Sequence, residues 1–226
     1  MSEHPHHIGH RQRLRERLLK SGADALPDYE LLELVLFATL PRQDTKPLAK
    51  ELITQFGSFA EMIAAEPRAL KKVPGVGDAV LGALKTVEAA SLRLAQQNVL
   101  DKPVLSNWQA LLDYLRASMA YATNEQFRVL FLNKKNILIA DEVQQKGTVD
   151  HTAVYPREII KRALEVSATA VIMVHNHPSG DPTPSDADIQ MTLEVKAAGE
   201  KMGIVLHDHI IIARDGAESF KALGLI

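Results

Sequence analysis

The sequence predicts an α/β domain with a mixed sheet and flanking helices, preceded by an all-α helical domain. Three observations support this. In the first hundred residues apolar side chains recur at helical spacing, and no convincing alternating strand interrupts them. After the stretch DKPVLSN, β-type runs and amphipathic helices mix. No glycine-rich nucleotide fingerprint follows any of those runs, so a dinucleotide-binding fold fits poorly. We place the boundary between residues 1–101 and 102–226.

Taken in order, RQRLRERLLKSG reads as a basic helix ending at Gly22, its charges on a solvated face. Asp28 opens YELLELVLFATL, which stops at Pro41, and Thr45 opens TKPLAKELITQFG. SFAEMIAAEPRALKK leads to VPGVG and the long helix DAVLGALKTVEAASLRLAQQ. Beyond the linker, WQALLDYLRASMAY is an amphipathic helix. FRVLFLN and ILIADEVQ are strands joined by the turn Asn133 to Asn136. PREIIKRALEVS reads as a helix, ATAVIMVH as a buried strand and SDADIQMTLEVKAAGEKMG as a helix, and GIVLHDHIIIA closes the sheet.

Composition narrows the function classes. The chain has 226 residues, 46% hydrophobic and 24% charged, as an ordinary globular protein has. No apolar run approaches the roughly 18 residues of a membrane span, and the N-terminus lacks the apolar stretch of a secretory signal. A cytoplasmic location and no membrane partner are expected. With no cysteine, any metal must be held by histidine and carboxylate. The formal net charge of −2 restricts nucleic-acid contact to a local, modest, non-specific one.

The most informative stretch is HNHPSGDPTPSDAD, from His175 to Asp188. Alternate strand residues point to one side, so His175 and His177 can present two imidazoles together. Ser185 reads as the N-cap of the next helix, and Asp188, in its first turn, can swing back toward them. Two imidazoles and one carboxylate suit Zn²⁺ and leave a fourth position for water, whose pKa such a site lowers toward ~7. A plainer reading stays open: Ser185 and Asp188 form a capping box, and the histidines are polar strand-end chemistry.

The spacing H-x-H, seven residues, Ser, two residues, Asp resembles the JAMM metalloproteases, or MPN+ domains. That resemblance implies a zinc hydrolase with His175, His177 and Asp188 as metal ligands and Ser185 stabilising the oxyanion. It also implies a glutamate general base on an earlier strand, for which Glu142 is the candidate, just ahead of QQKGT; Asp141 would face the other side. The run from GTVDHTAVYPREI to SDADIQMT, with LHDHIIIARDGAESFKALGLI and the N-terminal segments, is similar to the RadC family over nearly the whole chain. This family, long labelled as DNA repair proteins, carries a helix-hairpin-helix segment before a JAMM-like domain. The implied substrate is a protein or peptide with an amide or isopeptide bond. Asn176 stands where many eukaryotic JAMM relatives have Ser or Thr, a swap expected to alter hydrogen bonding behind the ligands.

Other features carry less. Val73-Pro74-Gly75-Val76-Gly77 resembles a helix-hairpin-helix turn, so Lys72, Gly75, Val76 and Gly77 are candidate DNA-phosphate contacts, with Lys71 adding charge. Leu81 replaces the usual small residue, and a plain interhelical turn explains the glycines equally well. His207-Asp208-His209 lacks a downstream carboxylate at matching spacing; these are strand residues near the site, not ligands. His4, His6, His7 and His10 form a loose tail cluster with no assigned role. The competing functions are a DNA-associated or scaffold protein with a structural or vestigial metal site, and a metal-dependent nuclease. A zinc deaminase and an HExxH protease lack their motifs. Fe(II) held by the same ligands gives Ser185 and the glutamate no role.

Overall fold

The computed structural model describes residues 9–146 and 155–226. His4, His6 and His7 lie outside them. Contacts divide the chain into residues 1–90 and 91–226 rather than at 101/102. The physical reason lies in DKPVLSN and the residues before it. Ala95, Val99 and Val104 pack into the C-terminal core, Pro103 bridges to Ile137, and the Val104 N–H donates to the Asn136 carbonyl at 2.8 Å. This stretch is an integral edge of the second unit rather than a spacer.

The first unit contains α1 (His10–Ser21), α2 (Asp28–Thr39), α3 (Lys46–Phe56), α4 (Phe59–Ala64), α5 (Pro67–Leu70) and the start of α6 (Asp78–Gln97). Leu32, Leu36, Leu52, Met62, Leu70 and Leu84 fill its core. The basic helix α1 is more than a solvated face. The Arg11 guanidinium donates to the carbonyls of Phe37, Leu40 and Gln43, at the C-terminal end of α2 and just beyond it. Arg17 pairs with Glu30, and His10 contacts the buried Glu33 at 3.1 Å.

The second unit is built on a five-stranded mixed sheet in the order β2-β1-β3-β4-β5. The strands are β1 (Gln126–Leu132), β2 (Leu138–Lys146), β3 (Ala170–Asn176), β4 (Val205–Ile212) and β5 (Ala217–Ser219). β3 and β4 are parallel; the other pairs are antiparallel. Helix α7 (Trp108–Met119) covers one face, where Leu130, Leu132, Ile172, Val174, Ile210 and Ile212 meet Leu111, Leu115 and Met119. Helices α8 (Pro156–Glu165) and α9 (Asp186–Lys201) cover the other, over Phe127, Val129, Phe131, Val171 and Met173. β3 is buried along its whole length, which is why it reads as a continuous apolar run instead of an alternating one. Gly199 lets α9 approach β4 closely, since a Cβ there would stand 2.7 Å from the Ile204 carbonyl oxygen. β5 is too short to leave a sequence pattern. Among the described residues no helix is long and apolar enough to cross a membrane.

Candidate metal centre

The alternation along β3 decides what its end presents. Val171 and Met173 face α8 and α9, so His175 emerges on that face and Asn176 on the other. The chain then leaves the sheet, turns through residues 177–185 and re-enters as α9. Ser185 caps that helix: its Oγ accepts from the Asp188 N–H at 3.2 Å, while the Ser185 N–H and hydroxyl donate to Asp188 Oδ2 at 2.9 and 2.6 Å. The capping box and the ligand set are therefore one construction. The cap holds Oδ2, and Oδ1 is left facing His175 Nε2 at 3.3 Å.

Among the described residues, His175, His177 and Asp188 form the one group of three potential ligand atoms that all lie within 4.8 Å of one another. The two Nε2 atoms are 2.9 Å apart, and His177 Nε2 is 3.7 Å from Asp188 Oδ2. His177 Nδ1 sits 2.8 Å from the Asp181 carbonyl; a carbonyl only accepts, so Nδ1 carries a hydrogen and a neutral His177 keeps its lone pair on Nε2. Burial pushes the His175 imidazole down to about 4. His177 is raised, chiefly by Asp188 against the effect of burial, with the Asp181 carbonyl and the charge of Glu125 assisting. Burial works to raise the Asp188 carboxyl, but His177, His175 and Ser185 together hold it well below the usual carboxylate range. Two imidazole nitrogens and an ionised carboxylate, crowded with no donor between neutral rings, are the donor set a divalent metal ion needs.

Glu142 is not brought to this cluster. Its carboxylate takes bonds from the Arg162 guanidinium at 3.0, 2.9 and 2.6 Å, and this cation holds it below the ordinary range. The register explains why. Glu142 lies opposite Val129, and Val129 opposite Met173, two pairs short of His175. Two strand spacings and two residues put its backbone roughly 12 Å from that of His175. Asp141 does face the opposite side, where it accepts from Tyr114 and Arg128.

The acidic group beside the cluster is Glu125, which sequence reasoning missed. Phe127 pairs with His175 across the β1–β3 ladder and stacks on its ring, with centroids 6.2 Å apart. Glu125, two residues ahead of Phe127, is half-buried, and its charge acts on His177, two residues beyond His175. Asn176 fixes that approach from behind. Its Oδ1 accepts from the Gln126 N–H at 2.8 Å, and its Nδ2 donates to the Asn124 carbonyl at 3.2 Å. Both bonds are made to backbone, and neither reaches His175, His177 or Asp188. The signal in the sequence is thin: a glutamate just ahead of the apolar run FRVLFL.

The second H-x-H divides. His207 contacts the Asn136 side chain at 2.7 Å, whereas His209 lies fully buried beneath His175, 2.8 Å from its Nδ1. In the first unit, the VPGVG turn spends part of its polar groups internally. The Val76 side chain lies in the core; its N–H donates to Val73, and that of Gly77 to Gly75. Gly75 holds φ at +94°, a conformation that requires glycine. Lys71 pairs with Asp78 at 2.6 Å, which leaves the backbone of Gly75 and the ammonium of Lys72 as the expected contacts whose donors the turn does not consume.

Residues 105–225 match the RadC-like JAB domain family, and residues 6–81 match the UPF0758 N-terminal family. A UPF0758 protein of Rhodobacter capsulatus is 62% identical over 213 residues, which cover 94% of this chain and 100% of that protein. A UPF0758 protein of Ruegeria pomeroyi is 55% identical over 217 residues, 96% of this chain and 97% of its own.

Proposed function

The chain belongs to the RadC family, and from that premise we propose that it is a zinc-dependent hydrolase of JAMM type that cleaves an amide or isopeptide bond in a protein or peptide. One observation carries the reading: at the end of a buried strand, two imidazole Nε2 atoms and a capped carboxylate oxygen converge within 4.8 Å. His175, His177 and Asp188 would hold the ion. Three such ligands leave a coordination position open, and zinc bound there supplies Lewis acidity and lowers the pKa of water.

The remaining steps belong to the protein. We assign the general base to Glu125 in place of Glu142, because Glu125 flanks His177 and its charge is felt there, while Glu142 is committed to Arg162. Glu125 takes a proton from the attacking water and returns it to the leaving amine. Ser185 donates to the oxyanion as the carbonyl becomes tetrahedral; for this its hydroxyl turns from Asp188 Oδ2, which keeps its bond from the Ser185 N–H.

The test is incubation of the zinc-loaded chain with a peptide library containing both α-peptide and lysine isopeptide bonds, read by mass spectrometry. New termini are expected with wild type and with Glu142→Gln, and none with Asp188→Asn or Glu125→Gln. A chain with stoichiometric zinc that generates no new termini would overturn the hydrolase reading in favour of a structural metal in a scaffold. Loss of cleavage in Glu142→Gln alone would return the base to that residue.

A further inference from the structure

Behind the three ligands runs a polar chain that metal binding by itself does not call for. His175 Nδ1 is 2.8 Å from His209 Nε2, His209 Nδ1 is 2.6 Å from Thr192 Oγ1, and Thr192 Oγ1 is 2.5 Å from the Asp188 carbonyl oxygen. His209 and Thr192 are fully buried. Phe220 stacks on the His209 ring at 4.5 Å, as Phe127 does on His175, so the chain is walled by phenyl rings.

The direction of every hydrogen in this chain follows from its last member. A carbonyl oxygen only accepts, so the single hydroxyl hydrogen of Thr192 goes to Asp188. The Thr192 oxygen must then accept from His209, which places the His209 hydrogen on Nδ1. A second hydrogen on Nε2 would make His209 a fully buried cation whose ring is hydrogen-bonded to His175 and Thr192 and, among the described residues, to no carboxylate, which is costly. His209 Nε2 is therefore an acceptor, and His175 must donate to it from Nδ1. The lone pair of His175 is left on Nε2, the atom that faces His177 and Asp188.

We infer that Thr192 and His209 are positioning residues: they form a buried relay that fixes His175 in its Nδ1–H tautomer and so keeps its Nε2 lone pair aimed into the cluster. The inference rests on the metal-site reading above. The relay also closes a ring through the fold, because its terminal acceptor is the backbone of Asp188, itself a ligand. Strands β3 and β4 and helix α9 are tied together by the groups that orient the site. Outer hydrogen bonds of this kind set ring orientation and ligand basicity at histidine metal sites.

The experiment uses the full chain labelled with ¹⁵N-histidine. Long-range ¹H–¹⁵N correlation spectra of the metal-free protein report which nitrogen of His175 carries hydrogen, and competition with a chromophoric chelator reports zinc affinity. Wild type is expected to show only the Nδ1–H form. Thr192→Val keeps the shape of the side chain but removes the hydroxyl; it should mix the tautomers and weaken zinc about ten- to a hundredfold. Thr192→Ser should restore both. An unchanged tautomer and affinity in Thr192→Val would overturn the relay. So would an Nε2–H form in wild type, a result that stands even if the valine variant fails to fold. A wild type that shows the Nδ1–H form yet takes up no zinc would overturn the metal reading and support the tautomer assignment.

Discussion

The end of β3 and the VPGVG turn are the two places where this sequence carries motif-like residues, and the structure treats their polar groups in opposite ways. At β3, His177 donates to the Asp181 carbonyl, His175 to His209, and Ser185 to Asp188 Oδ2, which leaves the two imidazole Nε2 atoms and Asp188 Oδ1 grouped together. In the turn, the Val76 and Gly77 amides are consumed locally, Lys71 is neutralised by Asp78, and the valines are core. The two places differ in how many of their polar groups remain unspent after folding. Residue type alone does not separate them.

The largest expected effect sharpens this contrast. A metal bound only by the folded state stabilises by about 4 kcal/mol at a thousandfold excess over its Kd. Zinc should therefore slow hydrogen exchange across β3, β4 and α9, and leave α2, α3 and the VPGVG turn unchanged, as read by mass spectrometry. Equal protection of both units would break the comparison. Next in size, Gly75→Ala forces a Cβ into a left-handed backbone and should cost about 1–2 kcal/mol in chemical denaturation, with no change in zinc affinity.

Ser185→Ala removes the cap hydroxyl and should cost about 1 kcal/mol. Because the same hydroxyl holds Asp188, zinc affinity should fall with it, which titration calorimetry can check; a stability loss without an affinity loss would separate the cap from the ligand set. The smallest effect belongs to Glu142→Gln. Arg162 lowers the Glu142 carboxyl from its ordinary 4.5, so this partly exposed pair stabilises above that pH and its contribution is lost as pH falls through the lower folded value. We expect under about 1 kcal/mol at pH 7 and no difference from wild type near pH 2, by denaturant titration at both.

Much of this was legible because it is local. Helix α6, for instance, spans the residues that its apolar spacing and the preceding glycine mark out. The seven-residue gap between H-x-H and Ser185 is the loop length that brings α9 back over β3, so that His175, His177 and Asp188 come together as the spacing suggested. The capping box was legible too, although the sequence posed it as a rival to the candidate metal site when the same Asp188 side chain serves both the cap and the cluster. What stayed hidden depends on partners distant in the chain. Glu125 reaches the cluster only because β1 pairs antiparallel with β3, about fifty residues on. Choosing Glu142 followed its position ahead of QQKGT, and the sheet order puts a strand between it and the site. Arg11 looked like one more solvated charge because its three carbonyl partners lie at the far end of α2 and beyond it. His209 was placed near the site correctly, but its contact with His175 needs the parallel β3–β4 register.

The central claim is that His175, His177 and Asp188 hold one metal ion, and elemental analysis tests it most directly. The protein should be chelator-washed, reloaded with zinc and desalted, with residues 1–8 removed so that His4, His6 and His7 cannot contribute. The account predicts about one zinc per chain in wild type and none in His177→Ala or Asp188→Asn. A folded wild type without zinc, or variants that keep it, would contradict the account, and the end of β3 would then be a capped turn with two polar rings.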